Sequence, residues 1–320
     1  MKANIPGRHI SFWTATSFII ASMIGTGVFT SLGFQLVEIK SIFPLLMLWV
    51  IGGVIALMGA LTYAELGTAF PRSGGEYHLL SRIMHPSIGF AAGIVSSTIG
   101  FTAPAVLAAM ALGSYISTVI PFISTTFIAC FVIVALHLLH MTSIRWGTLF
   151  QDYSTLIKVG LIFFFIAFGL TILKPQHISI LPLNGDGMIM MSPSFAIGLV
   201  WVSYAYTGWN SVIYISGELI DPKKNISKVM IYATILVTVL YVLLNYVFLY
   251  STPIASMVGK VDIAYIAGIE IFGDFGGKIM GLGISILLLS TVSSYVYIGP
   301  RIMQIMGEDH SFLKKLKYKN

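Results

Sequence analysis

Charged side chains are scarce in this chain: Asp, Glu, Lys and Arg together make up 9% of its 320 residues, where a soluble globular domain carries about 25%. That shortage excludes an ordinary water-soluble fold. Cysteine occurs once, at Cys130, so neither an internal disulfide nor a thiolate metal cluster is available, and its place midway along an apolar segment reads as packing. The histidines His9, His78, His85, His137, His140, His177 and His310 show no HExxH or other ligand spacing, and no metal or cofactor is assigned to them. No nucleophile and base pair stands out, so the chain does not read as an enzyme.

What the chain has is apolar length. Hydrophobic residues make up 57% and the mean hydropathy is +0.90. Segments of about 20 apolar residues, enough to cross a bilayer, fit at 13–34, 43–66, 87–113, 122–139, 153–173, 194–216, 229–250 and 279–306. The expectation is an all-α membrane protein of about eight helices, embedded in lipid, with Pro104 kinking the third. Residues 13–23 imitate the apolar part of a signal peptide behind Arg8, but the run continues through Phe34 without a small-residue cleavage site, which marks a retained helix.

The net charge of +6 does not point to nucleic acid, because the basic residues are scattered over loops and form no stripe. Orientation accounts for them better. A cytoplasmic N-terminus puts 13 Lys and Arg inside, from Lys2 and Arg8 to Lys319, and leaves Lys40, Lys174, Lys260 and Lys278 outside. Both termini are then cytoplasmic, as in a multi-pass protein of the cell (plasma or inner) membrane.

Two of the apolar segments carry a glycine-bearing string near the middle: Ile24-Gly25-Thr26-Gly27-Val28-Phe29 and Ala205-Tyr206-Thr207-Gly208-Trp209-Asn210. In hydrocarbon every backbone N–H and carbonyl must be satisfied, so a broken stretch survives only where protein or a polar cavity covers it. Paired breaks in corresponding places of two halves point to a secondary transporter with a site near the bilayer midplane. Close helix packing through small residues is the plainer alternative for either string alone. A half-helix starting after a break offers free N–H groups to a carboxylate, and the one ending before it offers carbonyls to an ammonium. Two facing breaks therefore suit a zwitterion such as an α-amino acid.

The halves divide at residues 1–175, with five spans, and 176–320, with spans six to eight and a basic tail. The second unit is incomplete by comparison. Between residues 251 and 278, Ile254, Met257, Ile263 and Ile266 interleave with Asp262, Glu270 and Asp274. That pattern suits short surface helices over a vestibule, as a lid or as solvated packing.

Lys158 is the one basic residue inside a span, and such a charge costs at least about 2.5 to 3.5 kcal/mol near the bilayer centre. It reads either as a snorkelling side chain or as a buried group that takes up and releases a proton. Glu65, Glu218 and Asp221 read first as helix-end residues at the interface.

Taken in order, Gly25-Thr26-Gly27-Val28-Phe29, Tyr63-Ala64-Glu65-Leu66, Pro71-Arg72-Ser73-Gly74-Gly75-Glu76-Tyr77, Lys158, Tyr204-Ala205-Tyr206-Thr207-Gly208-Trp209-Asn210, Glu218 and Asp221-Pro222 resemble the amino acid, polyamine and organocation (APC) transporter superfamily. The likeness is strongest to its L-type amino acid transporter-like branch. It implies a LeuT-type bundle of inverted repeats, with about eight of the usual twelve helices present here, and alternating-access transport of an amino acid, proton-coupled or by exchange. It further implies a substrate site at Met23, Gly25, Thr26, Gly27, Tyr204, Ala205 and Thr207. Lys158 is implied to touch the first helix and a hydroxyl of the eighth, with Ser290 the best fit and Ser293 and Ser294 as alternatives. Thr207 stands where this branch often has glycine, which disfavours the bulkiest substrates and leaves small to medium neutral amino acids. The alternative is a truncated, non-transporting remnant or an amino-acid-binding membrane sensor; no partner subunit is assigned.

Overall fold

The computed structural model describes residues 9–117, 120–173 and 175–317. Ser11 caps the first helix by accepting from the Thr14 N–H, and α1 (Phe12–Met23) stops at the first glycine string before α2 (Gly27–Glu38) resumes the path. Then come α3 (Ile42–Ala69), a short α4 (Glu76–Ile83), α5 (Pro86–Val95) and α6 (Ala103–Ser117). Between α5 and α6 the backbone widens into a π turn, Ser96–Thr102, directly ahead of Pro104. Proline lacks an N–H and its ring displaces the carbonyl four residues back, so the wider turn absorbs the expected kink.

The chain continues through α7 (Thr125–Thr142), α8 (Ile144–Gly169), α9 (Asp186–Met190), α10 (Pro193–Tyr206) and α11 (Ser211–Tyr214). It ends with α12 (Pro222–Ser251), α13 (Ile254–Met257) and α14 (Ile263–Asp309), the last bent at Gly273, where φ is 77°. Among the described residues, 7 stretches are long and apolar enough to cross a membrane. The eighth expected span, 194–216, is present only as the pieces α10 and α11, too short to qualify because the second glycine string divides them. This is an all-α multi-pass membrane protein.

The broken first segment lies at the centre: Ala15, Phe18, Ile19, Ala21, Ile24 and Val28 are all fully buried. Around it stand α8, α10, α12 and α14. Small residues bring the walls together, for a Cβ on Gly53 of α3 would lie 2.3 Å from Thr238 of α12.

Two expectations change. Cys130 is exposed on α7, whose flanks Phe127 and Phe131 also face outward, so the thiol is on the perimeter and not packed inside. The 251–278 segment is docked, not a freely solvated surface: Ile263, Ala264 and Ala267 are fully buried, and Gly259 N–H donates to the Gly33 carbonyl at 2.8 Å. Ile263 lies against Gly33 of α2, while Val261 and Phe275 of the same segment stay exposed. Lys2, Arg8, Lys174 and Lys319 from the charge count, and the Asp274 side chain, lie outside what is described.

Candidate substrate site at the two helix breaks

Breaking α1 frees four carbonyls, and each has a new donor. The last regular bond is Ile24 N–H to Ile20 O at 2.9 Å, after which Gly25 N–H turns back to Met23 O at 2.9 Å. The Ala21 carbonyl, which Gly25 would have taken, accepts from Lys158 Nζ at 3.2 Å. The Ser22 carbonyl accepts from the Tyr295 hydroxyl at 2.8 Å and that of Met23 from the Tyr241 hydroxyl at 2.6 Å. The Ile24 carbonyl accepts from Lys158 Nζ at 2.7 Å and from the Thr291 hydroxyl at 2.8 Å.

Lys158 is fully buried, so snorkelling is ruled out. Its ammonium has three protons and three acceptors: Ala21 O, Ile24 O and, at 2.8 Å, Thr291 Oγ1. Nζ sits at the C-terminal end of α1, where the negative end of the helix dipole favours a positive charge. The hydroxyl partner is Thr291, not Ser290. Successive helical residues point about 100° apart, and Ser290 turns instead to α8, 3.1 Å from Thr155 Oγ1 and 3.3 Å from Gln151 Nε2. Ser293 contacts His140 at 3.0 Å and Ser294 contacts Ser22 at 2.8 Å.

The second break lies against the first. A Cβ on Gly27 would meet Ala205 Cα at 2.7 Å, and one on Gly208 would meet the Ser22 carbonyl carbon at 2.7 Å. Gly208 also has φ of 108°, a left-handed conformation that glycine adopts without strain. One phenol joins the two segments: the Tyr241 hydroxyl is 2.6 Å from Met23 O and 3.0 Å from Ala205 O, so its single proton lies between both carbonyls.

Of the residues expected at the substrate site, Met23, Gly25, Thr26, Gly27, Tyr204, Ala205 and Thr207 all line one cleft, together with Ser22, Pro104, Ala108, Thr291 and Tyr295. Lys158 and Ser290 lie behind its wall. Thr26 caps α2 and Gly27 and Val28 begin it, where backbone N–H groups have no partner within the helix, so the cleft offers a donor nest of positive polarity. On the other side, the Tyr204 carbonyl is already engaged by Thr207, through its N–H at 3.1 Å and its hydroxyl at 2.7 Å. The cleft encloses about 20 Å³, room for roughly one water. It shares Thr26 and Tyr204 with a cavity of about 790 Å³ that runs past Phe29, Trp201, Tyr115 and Asp262.

The end of the bundle that carries His9 and Asp309 is closed by two ionic clusters. Glu218 accepts from Arg301 Nε at 3.1 Å and from the Tyr297 hydroxyl at 3.0 Å, with His9 Nε2 at 3.2 Å. Burial alone would raise the Glu218 carboxyl, but the His9 hydrogen bond and the Arg301 charge hold it down at about 2. Arg72 bonds Asp309 at 2.7 Å and Glu308 at 3.4 Å, while the Tyr77 hydroxyl donates to Asp309 at 2.9 Å. The sequence marks Glu218 only as a helix end and gives His9 no role. Their partners lie 79 to 288 positions away, so no local pattern announces them.

The arrangement has recognisable relatives. Human Asc-type amino acid transporter 1 is 26% identical over 306 residues, covering 92% of this chain and 58% of that protein. The serine/threonine exchanger SteT of Bacillus subtilis is 27% identical over 326 residues, covering 97% of this chain and 71% of its own length. The human large neutral amino acids transporter small subunit 2 is 26% identical over 298 residues, 90% of this chain and 54% of that protein. This chain thus spans little more than half the length of the two human relatives. Residues 10–320 match the amino acid permease family, and with that match covering nearly the whole sequence, the chain belongs to that family.

Proposed function

We propose that this protein is a secondary amino acid transporter of the cell membrane whose substrate binds at the meeting point of the two broken segments. The observation that carries this is the backbone-to-backbone contact of Gly27 with Ala205, which sets the free N–H groups of α2 beside the carbonyl end of α10. The polarity suits a zwitterion that reaches in from the adjoining cavity of about 790 Å³: its carboxylate takes the Thr26 to Val28 amides, and its ammonium takes the Thr207 hydroxyl at the carbonyl end of α10. Among the described residues, no Asp, Glu, Lys or Arg lines the cleft, which favours neutral side chains, and Thr207 favours small to medium ones. The names of the relatives, which speak of Asc-type, serine/threonine and large neutral amino acids, support the same class.

The cycle is alternating access. The open cavity past Trp201 and Asp262 supplies the entrance, and the Glu218–Arg301 and Arg72–Asp309 clusters form the closed gate. With the termini cytoplasmic, that gate faces inward. Residues 1–175 form the first repeat, and 176–320 belong to the second. Lys158 is the coupling group, by proton cycling or by substrate exchange, because its grip on the end of α1 weakens when Nζ gives up its charge and one of its three protons; Ser290 acts one step removed, positioning α8 through Thr155 and Gln151. Uptake of a radiolabelled neutral amino acid into proteoliposomes, with and without amino acid inside, tests the reading. Saturable flux supports it; ligand-induced stabilisation without flux identifies a binding protein that does not transport.

A further inference from the structure

The string Ser73-Gly74-Gly75-Glu76 clamps the second half of the broken α10–α11 segment. Gly217 N–H donates to Ser73 Oγ at 3.0 Å, Gly74 N–H to the Tyr214 carbonyl at 3.2 Å, and Asn210 Nδ2 to Glu76 Oε1 at 2.5 Å. Gly75 is held with φ of 59°, and a Cβ there would overlap the Tyr214 ring at 2.1 Å. For α11 to move, this clamp must let go. Ser73, the glycines and Asn210 do not titrate, and Glu76 does.

Glu76 has no ion-pair partner among the described residues. Its Oε1 holds Asn210, while Oε2 is buried without a well-formed hydrogen bond. The groups facing the carboxyl are Tyr63 from α3, Asn210 from the break and its own backbone amide. Trp209 packs edge-on against Tyr63 with ring centroids 5.0 Å apart. Two arginines of this end of the bundle are committed elsewhere: Arg72 to Asp309 and Glu308, and Arg301 to Glu218. His78, buried and beside Arg72 and Arg82, is held toward its neutral form. Burial pushes the Glu76 carboxyl above the ordinary carboxylate range, against the hydrogen bonds from its amide, Asn210 and Tyr63.

We propose that Glu76 is a proton-binding site of this protein, gripping the broken segment through Asn210 when ionised and loosening that grip when Oε2 takes up a proton. A hydrogen bond to an ionised carboxylate is roughly twice as strong as one to a neutral acceptor. The proton comes from water and returns to water, so the step balances without a co-reactant. The consequence for transport rests on the reading of the protein as a transporter; the proton site itself does not.

Infrared difference spectroscopy of the purified protein in lipid during stepwise acidification tests this without any flux. A protonated-carboxyl band is expected that is lost in Glu76→Gln, a variant of nearly the same shape that still accepts from Asn210. In Asn210→Ala, which removes a bond favouring the ionised form, the midpoint of that band is expected to move to higher pH. Spectra of Glu76→Gln that superimpose on the wild type, or an unmoved midpoint in Asn210→Ala, overturn the proposal. In proteoliposomes, the pH profile of uptake is expected to flatten in Glu76→Gln, and an unchanged profile counts against the link to transport.

Discussion

Lys158 Nζ stands 2.7 Å from the carbonyl oxygen of Ile24, at the point where the first membrane segment stops being a helix. An ammonium in the protein interior thus replaces the backbone N–H groups that a continuous helix would have supplied. Lys158→Ala removes three donors and leaves the Ala21 carbonyl unpartnered. Each hydrogen bond to a charged group contributes about 1.5 to 3 kcal/mol, so a clear fall in melting temperature is expected, with uptake reduced at least tenfold by order of magnitude. Melting and proteoliposome uptake check both effects.

The two glycines of the first break are expected to behave differently. A methyl on Gly27 collides with backbone at 2.7 Å, whereas one on Gly25 meets only Thr291 Cγ2 at 3.6 Å, an ordinary contact. Gly27→Ala is expected to separate the two broken segments and abolish substrate binding. Gly25→Ala is expected to melt near the wild-type temperature, and any loss of binding there reports bulk in the cleft. Scintillation proximity binding alongside thermal melting distinguishes the pair.

Thr207→Gly frees the Tyr204 carbonyl from the hydroxyl at 2.7 Å and removes a side chain from the cleft. The expected outcome is a shift of selectivity toward larger neutral amino acids, by roughly tenfold, the scale set by one or two methylenes in an apolar pocket. Competition of alanine, leucine and phenylalanine for labelled substrate measures it.

Glu218 makes stability depend on acidity. Its carboxyl is held at about 2 against a usual 4.5, so the folded form favours the ionised state more than the unfolded chain does. That contribution is fully present above the unfolded value and is lost as pH falls from about 4.5 toward about 2. Its size is on the order of 3 kcal/mol. Wild-type melting temperature is expected to fall through this window more steeply than that of Glu218→Gln, which starts lower at neutral pH because Arg301 has lost its counter-charge.

The sequence reveals the breaks and Lys158 for one reason: hydrocarbon penalises what they are. A Gly-Thr-Gly string and a lone cation stand out in apolar spans because lipid tolerates neither without a partner. The partner of Lys158 is less legible. Choosing Thr291 over Ser290 requires the rotational phase of α14, and that helix carries a bend at Gly273 and a proline at Pro300, so hydroxyl neighbours cannot be told apart by counting. The Glu218 cluster is hidden for a different reason. Its members come from the residues before α1, the loop after α11 and the far end of α14, and only the folded bundle brings them together. Cys130 misleads because an apolar neighbourhood in a membrane helix means either packing or lipid.

Equilibrium binding of a radiolabelled small neutral amino acid to the purified protein in nanodiscs, challenged with the same molecule as its methyl ester and as its decarboxylated amine, tests the central claim most directly. The expected result is saturable binding of the zwitterion that neither derivative displaces and that Gly27→Ala abolishes. Equal competition by the ester, or undiminished binding to Gly27→Ala, contradicts a site built from the main-chain atoms of two broken helices.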